Sequence, residues 1–301
     1  MEEIKRSRIA LGLMRLKDVS VDQLETIVRT CLDKGITSYD ISDIYCRHDS
    51  EKKLGEILKV HPELRQRMFL QTKCGIVKDD DVPPYYDLSY KHIMEAVDAS
   101  LERLGTTYLD SLLLHRPDIF MDSKEVTRAF MELKAAGKVL HFGISNADVG
   151  QMSYLRRESN YLEIAQLQLG LGQPALLAST FNVNNPHQEH LNTDGIFYYL
   201  KEKGMTLQCW SPYQLGFFQG IIFNNPKLPE LNAMLQKLSQ KYHSTPCGIA
   251  TAFLTDLGDF VEVITGSMNL AHIQESLDGA AVVLEKPDWY ALYAATGNLL
   301  P

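Results

Sequence analysis

Short apolar runs rich in β-branched residues alternate along this chain with longer stretches in which apolar positions recur every three or four residues. The first pattern fits strands covered on both faces, and the second fits amphipathic helices. Candidate strands fall at 37–41, 68–73, 109–115, 139–145, 164–168, 206–210, 261–265 and 280–284. Helical patterns occupy 21–34, 89–104, 123–136, 194–203 and 231–242, and three of them run into Gly35, Gly137 or Gly204 just before the next strand. Glycine there supplies the left-handed conformation that ends a helix. Strands separated almost throughout by helices predict an α/β fold, a closed parallel (β/α)8 TIM barrel, over an open sheet.

Length adds that one unit is enough: the chain has 301 residues, and such barrels commonly run about 250 residues as a single domain. No Pro/Ser-rich linker or low-complexity segment divides it, so residues 1–301 are read as one domain with long loops around 79–88 and 180–193. A net charge of −8 without a dense Lys/Arg run lacks the electrostatic footprint of a nucleic-acid binder. Neither a leader-like apolar segment near the start nor a membrane-span-length run is found, so a membrane role is not expected and the cytoplasm is the default. Five cysteines at 31, 46, 74, 209 and 247 form neither a disulfide framework nor a zinc pattern.

Candidate chemistry concentrates at strand ends. Asp40, Tyr45, Lys73 and His115 each sit at or just beyond the C-terminal end of a candidate strand, the rim where barrel side chains converge from distant parts of a sequence. A free phenol titrates at about 10 and a lysine at about 10.4. An ammonium within ~4–6 Å of the phenol favours phenolate and is expected to pull Tyr45 down. An Asp beside the Lys would hold its charge and position, and a His could orient a carbonyl or pass a proton. Such parts make a carbonyl protonator.

Each residue also has a structural reading. A lone Lys–Asp pair is usually an ion pair and a buried Tyr or His a satisfied core group; the four together at strand ends favour function. Gly170-Leu-Gly172-Gln-Pro-Ala175 fits a dinucleotide fingerprint, but Asn and Pro residues at 182–186 would break its helix. Pro186-His-Gln-Glu-His190 is one residue short of a metal motif and sits in an Asn/Pro loop, so no metal is expected. Cys46 and Cys74 adjoin Tyr45 and Lys73, which raises a redox role for either if exposed. Arg116 and Asp118 are read as loop caps.

The stretch from Ser38 to Tyr45, Gln71-Thr-Lys73 and Leu112-Leu-Leu-His115-Arg-Pro-Asp118 resemble, in order, the aldo-keto reductase segments that carry its catalytic Asp and Tyr, Lys and His. Similarity runs from Ile9-Ala-Leu-Gly12 to Asp288-Trp-Tyr and Gly297-Asn-Leu-Leu-Pro301, the ending of a bacterial branch. The resemblance implies reduction of an aldehyde or ketone, with a proton from Tyr45 tuned by Lys73 and Asp40 and the carbonyl oriented by His115. It further implies a nicotinamide carboxamide on Ser145, Asn146 and Gln166, and Trp210 stacked on the ring. Ser211, Leu215 and Gly216 would lie along the pyrophosphate. Gly266, Ser267 and Asn269 would stand at the adenosine phosphate, where a helix starting near Leu270 offers its N-terminus. By the same resemblance His272 stands where many relatives have an Arg for the 2′-phosphate, and Glu275 would be the adenine contact. NADP(H) is favoured and NAD(H) remains open. Met14, Tyr85, Tyr86, Phe120 and Tyr213 are candidates for the wall around a small carbonyl substrate. Two other readings stay open: a cofactor-binding regulatory or sensing protein, and a Schiff-base enzyme using Lys73.

Overall fold

The computed structural model describes residues 4–78, 82–181, 195–216, 219–298 and 300. Its strands, in chain order, are β1 Ile9–Gly12, β2 Ser38–Asp40, β3 Phe69–Cys74, β4 Ile76–Val77, β5 Tyr85–Tyr86, β6 Leu109–Leu114, β7 Val139–Ser145, β8 Leu162–Gln168, β9 Thr206–Trp210 and β10 Val261–Thr265. Eight of them close into a parallel barrel in the order β1-β10-β9-β8-β7-β6-β3-β2, while β4 and β5 form a small antiparallel ladder. The helices are α1 Val21–Asp33, α2 Asp49–Val60, α3 Tyr90–Leu104, α4 Ser123–Ala135, α5 Val149–Arg156, α6 Ala175–Phe181, α7 Ile196–Glu202, α8 Pro229–Lys241, α9 Pro246–Thr255, α10 Leu270–Gly279 and α11 Lys286–Ala295.

One expectation about elements is corrected. Residues 280–284 form no strand: Ala280 caps α10, the amides of Ala281 and Val282 close turn bonds on Asp278 and Gly279, and Val283 is 76% exposed. The eighth strand is instead β1, four residues long and buried throughout. The helix α2 also went unread, because its first turn is polar and its N-cap, His48, gives no side-chain cap. The glycine stops hold, with φ of +83°, +67° and +63° at Gly35, Gly137 and Gly204. The motif 186–190 lies outside the described residues, as does Pro301. Among the described residues no helix is long and apolar enough to cross a membrane.

The chain divides into two compact units, Met1–Gln166 and Leu167–Pro301. In the first, β2, β3 and β6 are buried at every position, as parallel strands covered on both faces require. Their register sets Asp40 beside Gln71 and Gln71 beside Ser111, which lines polar side chains up in one row. Beyond β2 the turn takes Cys46, Arg47 and His48 through φ of 50°, 55° and 69°, a left-handed path that costs non-glycine residues free energy and swings the chain into α2. There Gly55 lies against α3, so that a Cβ on it would fall 2.0 Å from the Arg103 carbonyl oxygen. Gly55→Ala is expected to destabilise the protein by about 1–3 kcal/mol or more, and urea unfolding that leaves the midpoint unchanged would show that the two helices yield freely.

In the second unit the glycines of the apparent dinucleotide fingerprint have a different use. A Cβ at Gly170 would meet the Pro212 carbonyl oxygen at 2.0 Å, and one at Gly172 the Gln214 oxygen at 2.3 Å. Both admit the backbone that follows β9. Elsewhere in this unit α9 is buried all round, and α10 approaches it where Gly279 meets Gly248.

Candidate active site

Lys73 is the penultimate residue of β3 and has no exposed surface. A buried ammonium must be paired and hydrogen-bonded, and all three of its donors are used. Nζ lies 2.7 Å from the Asp40 carboxylate, 2.9 Å from the Ile41 carbonyl oxygen and 3.3 Å from Tyr45 Oη. Asp40, the last residue of β2, also accepts from Gln71 Nε2 at 2.6 Å and Gln166 Nε2 at 2.9 Å. Ser111 Oγ in turn donates to Gln71 Oε1 at 2.8 Å and fixes that amide's orientation. Tyr45 stands in the turn after β2, half-buried, its ring edge-on to His115 at 5.7 Å between centroids. His115 is the first residue past β6, and its Nδ1 is 3.0 Å from Ser42 Oγ. The four residues at strand ends therefore meet within one unit.

The electrostatics correct one step of the sequence argument. Burial pushes the Tyr45 phenol up; Lys73 pulls it the other way, and the net direction is upward. At neutral pH Tyr45 is thus a protonated phenol, and the ammonium stabilises phenolate only as it forms. Burial opposes the Lys73 charge, but Asp40 and Tyr45 outweigh it and the lysine is raised. Burial, then the Lys73 charge and those of Arg116 and Lys78, hold His115 well below the ordinary histidine value. A neutral imidazole, an acid beside an ammonium and a buried carboxylate can protonate an oxygen as negative charge develops on it.

At the end of β7, Ser145 Oγ donates to the Gln166 carbonyl at 3.0 Å, and Asn146 follows with φ of 60°. Asn146 Nδ2 donates to Ser145 Oγ at 2.8 Å and to the His115 carbonyl at 3.3 Å. The sequence placed Gln166 with these two, but its amide nitrogen also reaches Asp40. Met14 is half-buried and its carbonyl accepts from Cys46 Sγ at 3.6 Å. Tyr85 and Tyr86 form β5 with about half their surface exposed, and Phe120 is 89% exposed. Asp118 does cap its loop, accepting from the Phe120 amide at 2.9 Å and the Leu88 amide at 3.3 Å. Cys74 is buried and burial pushes its thiol well above the usual range, the setting of a packing cysteine.

The remaining expected residues belong to the second unit. Trp210 ends β9, half-buried, and Ser211 follows with φ of 48°. The Leu215 amide donates to the Gly220 carbonyl at 2.8 Å, and the Gly216 carbonyl accepts from Gln168 Nε2 at 3.0 Å. Past β10, Gly266 has space around its Cα, Ser267 Oγ accepts from the Asn269 amide at 3.1 Å, and Asn269 caps α10 through the Ala271 amide at 2.9 Å. His272 Nδ1 lies 3.4 Å from Ser267 Oγ, with half-buried Glu275 one turn on. The Tyr213 hydroxyl is held by Thr251 at 2.7 Å and Ser276 at 2.8 Å, which ties its side chain to α9 and α10.

Sequence reading missed Gln71, Ser111, Ser42 and Asp43. One signal was available for the first, since Gln71 and Lys73 are two apart and a strand turns such residues to the same side. The others depend on register and on a turn, which no local pattern encodes.

The sequence profile of the Aldo/keto reductase family matches residues 8–295. The chain is 32% identical to a 6-dehydroglucose reductase of Agrobacterium fabrum over 301 residues, covering 97% of this chain and 95% of that protein. It is 30% identical to the oxidoreductase YdhF of Escherichia coli over 302 residues, 98% and 95% of the two chains. Among solved structures, a thermostable aldo-keto reductase bound to epalrestat superposes with a TM-score of 0.77 at 18% identity, covering 96% of this chain and 95% of that one. A Klebsiella pneumoniae aldo-keto reductase in complex with NADPH gives 0.75 at 19% identity, covering 95% and 90%. By fold and by sequence over nearly its whole length, the chain belongs to the aldo/keto reductase family of oxidoreductases.

Proposed function

We propose that this protein reduces aldehydes or ketones to alcohols with NADPH, residues 1–301 acting as one domain in the cytoplasm. The observation that carries the reading is the Lys73 ammonium within hydrogen-bonding distance of both Tyr45 Oη and the buried Asp40 carboxylate. When bound, the nicotinamide supplies a hydride to the carbonyl carbon; this chain supplies the rest. Tyr45 gives its proton to the carbonyl oxygen, Lys73 stabilises the phenolate left behind, Asp40 fixes Lys73, and His115 donates a hydrogen bond that orients the carbonyl.

The residues present fit such a cofactor. A carboxamide needs both donors and acceptors, and Ser145, Asn146 and Gln166 bring both types together. In the second unit Trp210, Ser211, Leu215 and Gly216 are the residues for the ring and pyrophosphate, and Gly266, Ser267, Asn269, His272 and Glu275 those for the adenosine end. The start of α10 gathers small polar side chains around exposed Asn269, a setting that suits an anion. His272 offers an imidazole where a guanidinium would present a rigid fork.

Two relatives carry the name 6-dehydroglucose reductase, so that aldehyde belongs beside an activated aromatic aldehyde in the test. Loss of NADPH absorbance, with NADH run in parallel, is expected with at least one of them and faster with NADPH. Cofactor binding without turnover on any carbonyl would move the reading to a sensing protein. His272→Arg is expected to raise the preference for NADPH over NADH about tenfold, the worth of one charge-assisted bond. An unchanged ratio would show that residue 272 does not meet the 2′-phosphate.

A further inference from the structure

Ser42 has no exposed surface, and its hydroxyl stands between two groups that both want its proton. Its Oγ is 3.1 Å from Asp43 Oδ1 and 3.0 Å from His115 Nδ1. A hydroxyl has one proton to donate. When it donates to an Asp43 carboxylate, it can only accept from His115, which must then carry its proton on Nδ1 and present a bare Nε2. When Asp43 is itself protonated and donates to Ser42, the hydroxyl turns to Nδ1, and the imidazole proton sits on Nε2. We propose that Asp43, acting through Ser42, decides which ring nitrogen of His115 carries the proton, and so whether His115 can donate a hydrogen bond to a substrate carbonyl. The carbonyl half of this statement rests on the reductase reading; the tautomer half does not.

The surroundings place the exchange in the working range. Burial pushes the Asp43 carboxyl up to about 7, and the Glu51 charge adds to it, against the opposing pull of Ser42, Arg103 and the Ile44 amide. Glu51, from α2, is fully buried and holds its place through Thr72 Oγ1 at 2.6 Å and Arg103 Nε at 2.6 Å. From β3 the Lys73 carbonyl accepts the Asp43 amide at 3.2 Å, and Cys74, a thiol at these pH values, faces the same carboxyl. Tyr45 faces it as a neutral phenol. His115 stays uncharged across this range because burial and the Lys73, Arg116 and Lys78 charges hold it down. A change at Asp43 therefore reaches the imidazole as a tautomer shift and not as a protonation. Below pH of about 7 the Nε2–H form dominates; above it the Nδ1–H form does, and turnover falls. For a single proton, turnover at pH 8.5 would stand about thirtyfold below its acid plateau. Asp43 and Ser42 are positioning residues in this scheme.

The test is nitrogen-15 NMR of the full-length protein labelled in histidine, with the His115 signals assigned by His115→Gln. The expected result is a neutral ring protonated on Nε2 at pH 6 and on Nδ1 at pH 8.5. In Asp43→Asn and in Ser42→Ala a single tautomer should persist across that range, and the turnover decline should vanish with it. Thermal unfolding of both variants shows whether each is folded before its spectrum is read, and either one suffices. One tautomer in the unaltered protein at both pH values, or a shift that survives in a folded variant, overturns the proposal. A shift that behaves as described in a protein that turns over no carbonyl instead overturns the reductase reading.

Discussion

Tyr45→Phe is expected to lower carbonyl turnover by about 10²–10⁴-fold, the range that a positioned general acid contributes. The ring keeps its edge-on contact with His115 and only the hydroxyl is lost. Cofactor binding, followed by quenching of protein fluorescence, should be nearly unchanged, because Ser145, Asn146 and Gln166 are bonded to one another and to Asp40 without help from Tyr45. The loss follows from the phenol's state: Tyr45 arrives protonated, and among the described residues no other group within hydrogen-bonding distance of Lys73 carries an acidic proton. A variant that keeps most of its turnover would mean that the proton comes from elsewhere, with His115 first in line.

Lys73→Met should cost both turnover and stability. Asp40 is only 5% exposed, and removing one partner of a buried pair leaves the other charge uncompensated, typically at about 3–5 kcal/mol. The two amide donors from Gln71 and Gln166 will soften that loss without cancelling it. Turnover should fall at least as far as in Tyr45→Phe, since the phenolate formed during proton transfer would face a methyl group. The double variant Lys73→Met, Asp40→Asn separates the two effects: urea unfolding should recover much of the stability, and turnover should stay low. A single variant as stable as the parent would show that Asp40 sheds its charge at no cost, and a fully active one would remove Lys73 from the proton step.

Much of this was legible in the amino-acid pattern, for a physical reason. Parallel strands covered on both faces must be almost wholly apolar, so Val139–Ser145, Thr206–Trp210 and Val261–Thr265 stand out with their true limits. In such runs an ionisable residue near the end is conspicuous, which is why Asp40, Lys73 and His115 could be picked without coordinates. Apolarity alone misled at both ends of the chain. Four residues at Ile9–Gly12 are too few to show a period, whereas Ala-Ala-Val-Val-Leu at 280–284 has the composition of a strand and the position of a helix exit. Electrostatics were legible in their parts and not in their sum, because the pull of Lys73 on Tyr45 can be read from residue types while the opposing effect of burial depends on everything packed around them. Ser42 and Asp43 were invisible for a related reason. His115, the partner of Ser42, is 73 positions away, and only the turn after β2 brings the two together.

The bonds that converge on Asp40 also constrain descent. Lysine, two glutamines and, through one of them, a serine are all fitted to one carboxylate, so the effects of changing them will not add. A lineage that exchanged Lys73 first would pass through a protein with a stranded charge, and one that exchanged Asp40 first through a protein with a stranded ammonium. Neutral drift is thereby steered away from this row and toward exposed positions such as Phe120, where a substitution disturbs no partner of Asp40. Changes confined to exposed positions can be reached on this barrel in single steps, but a new chemistry at this row needs several coordinated ones.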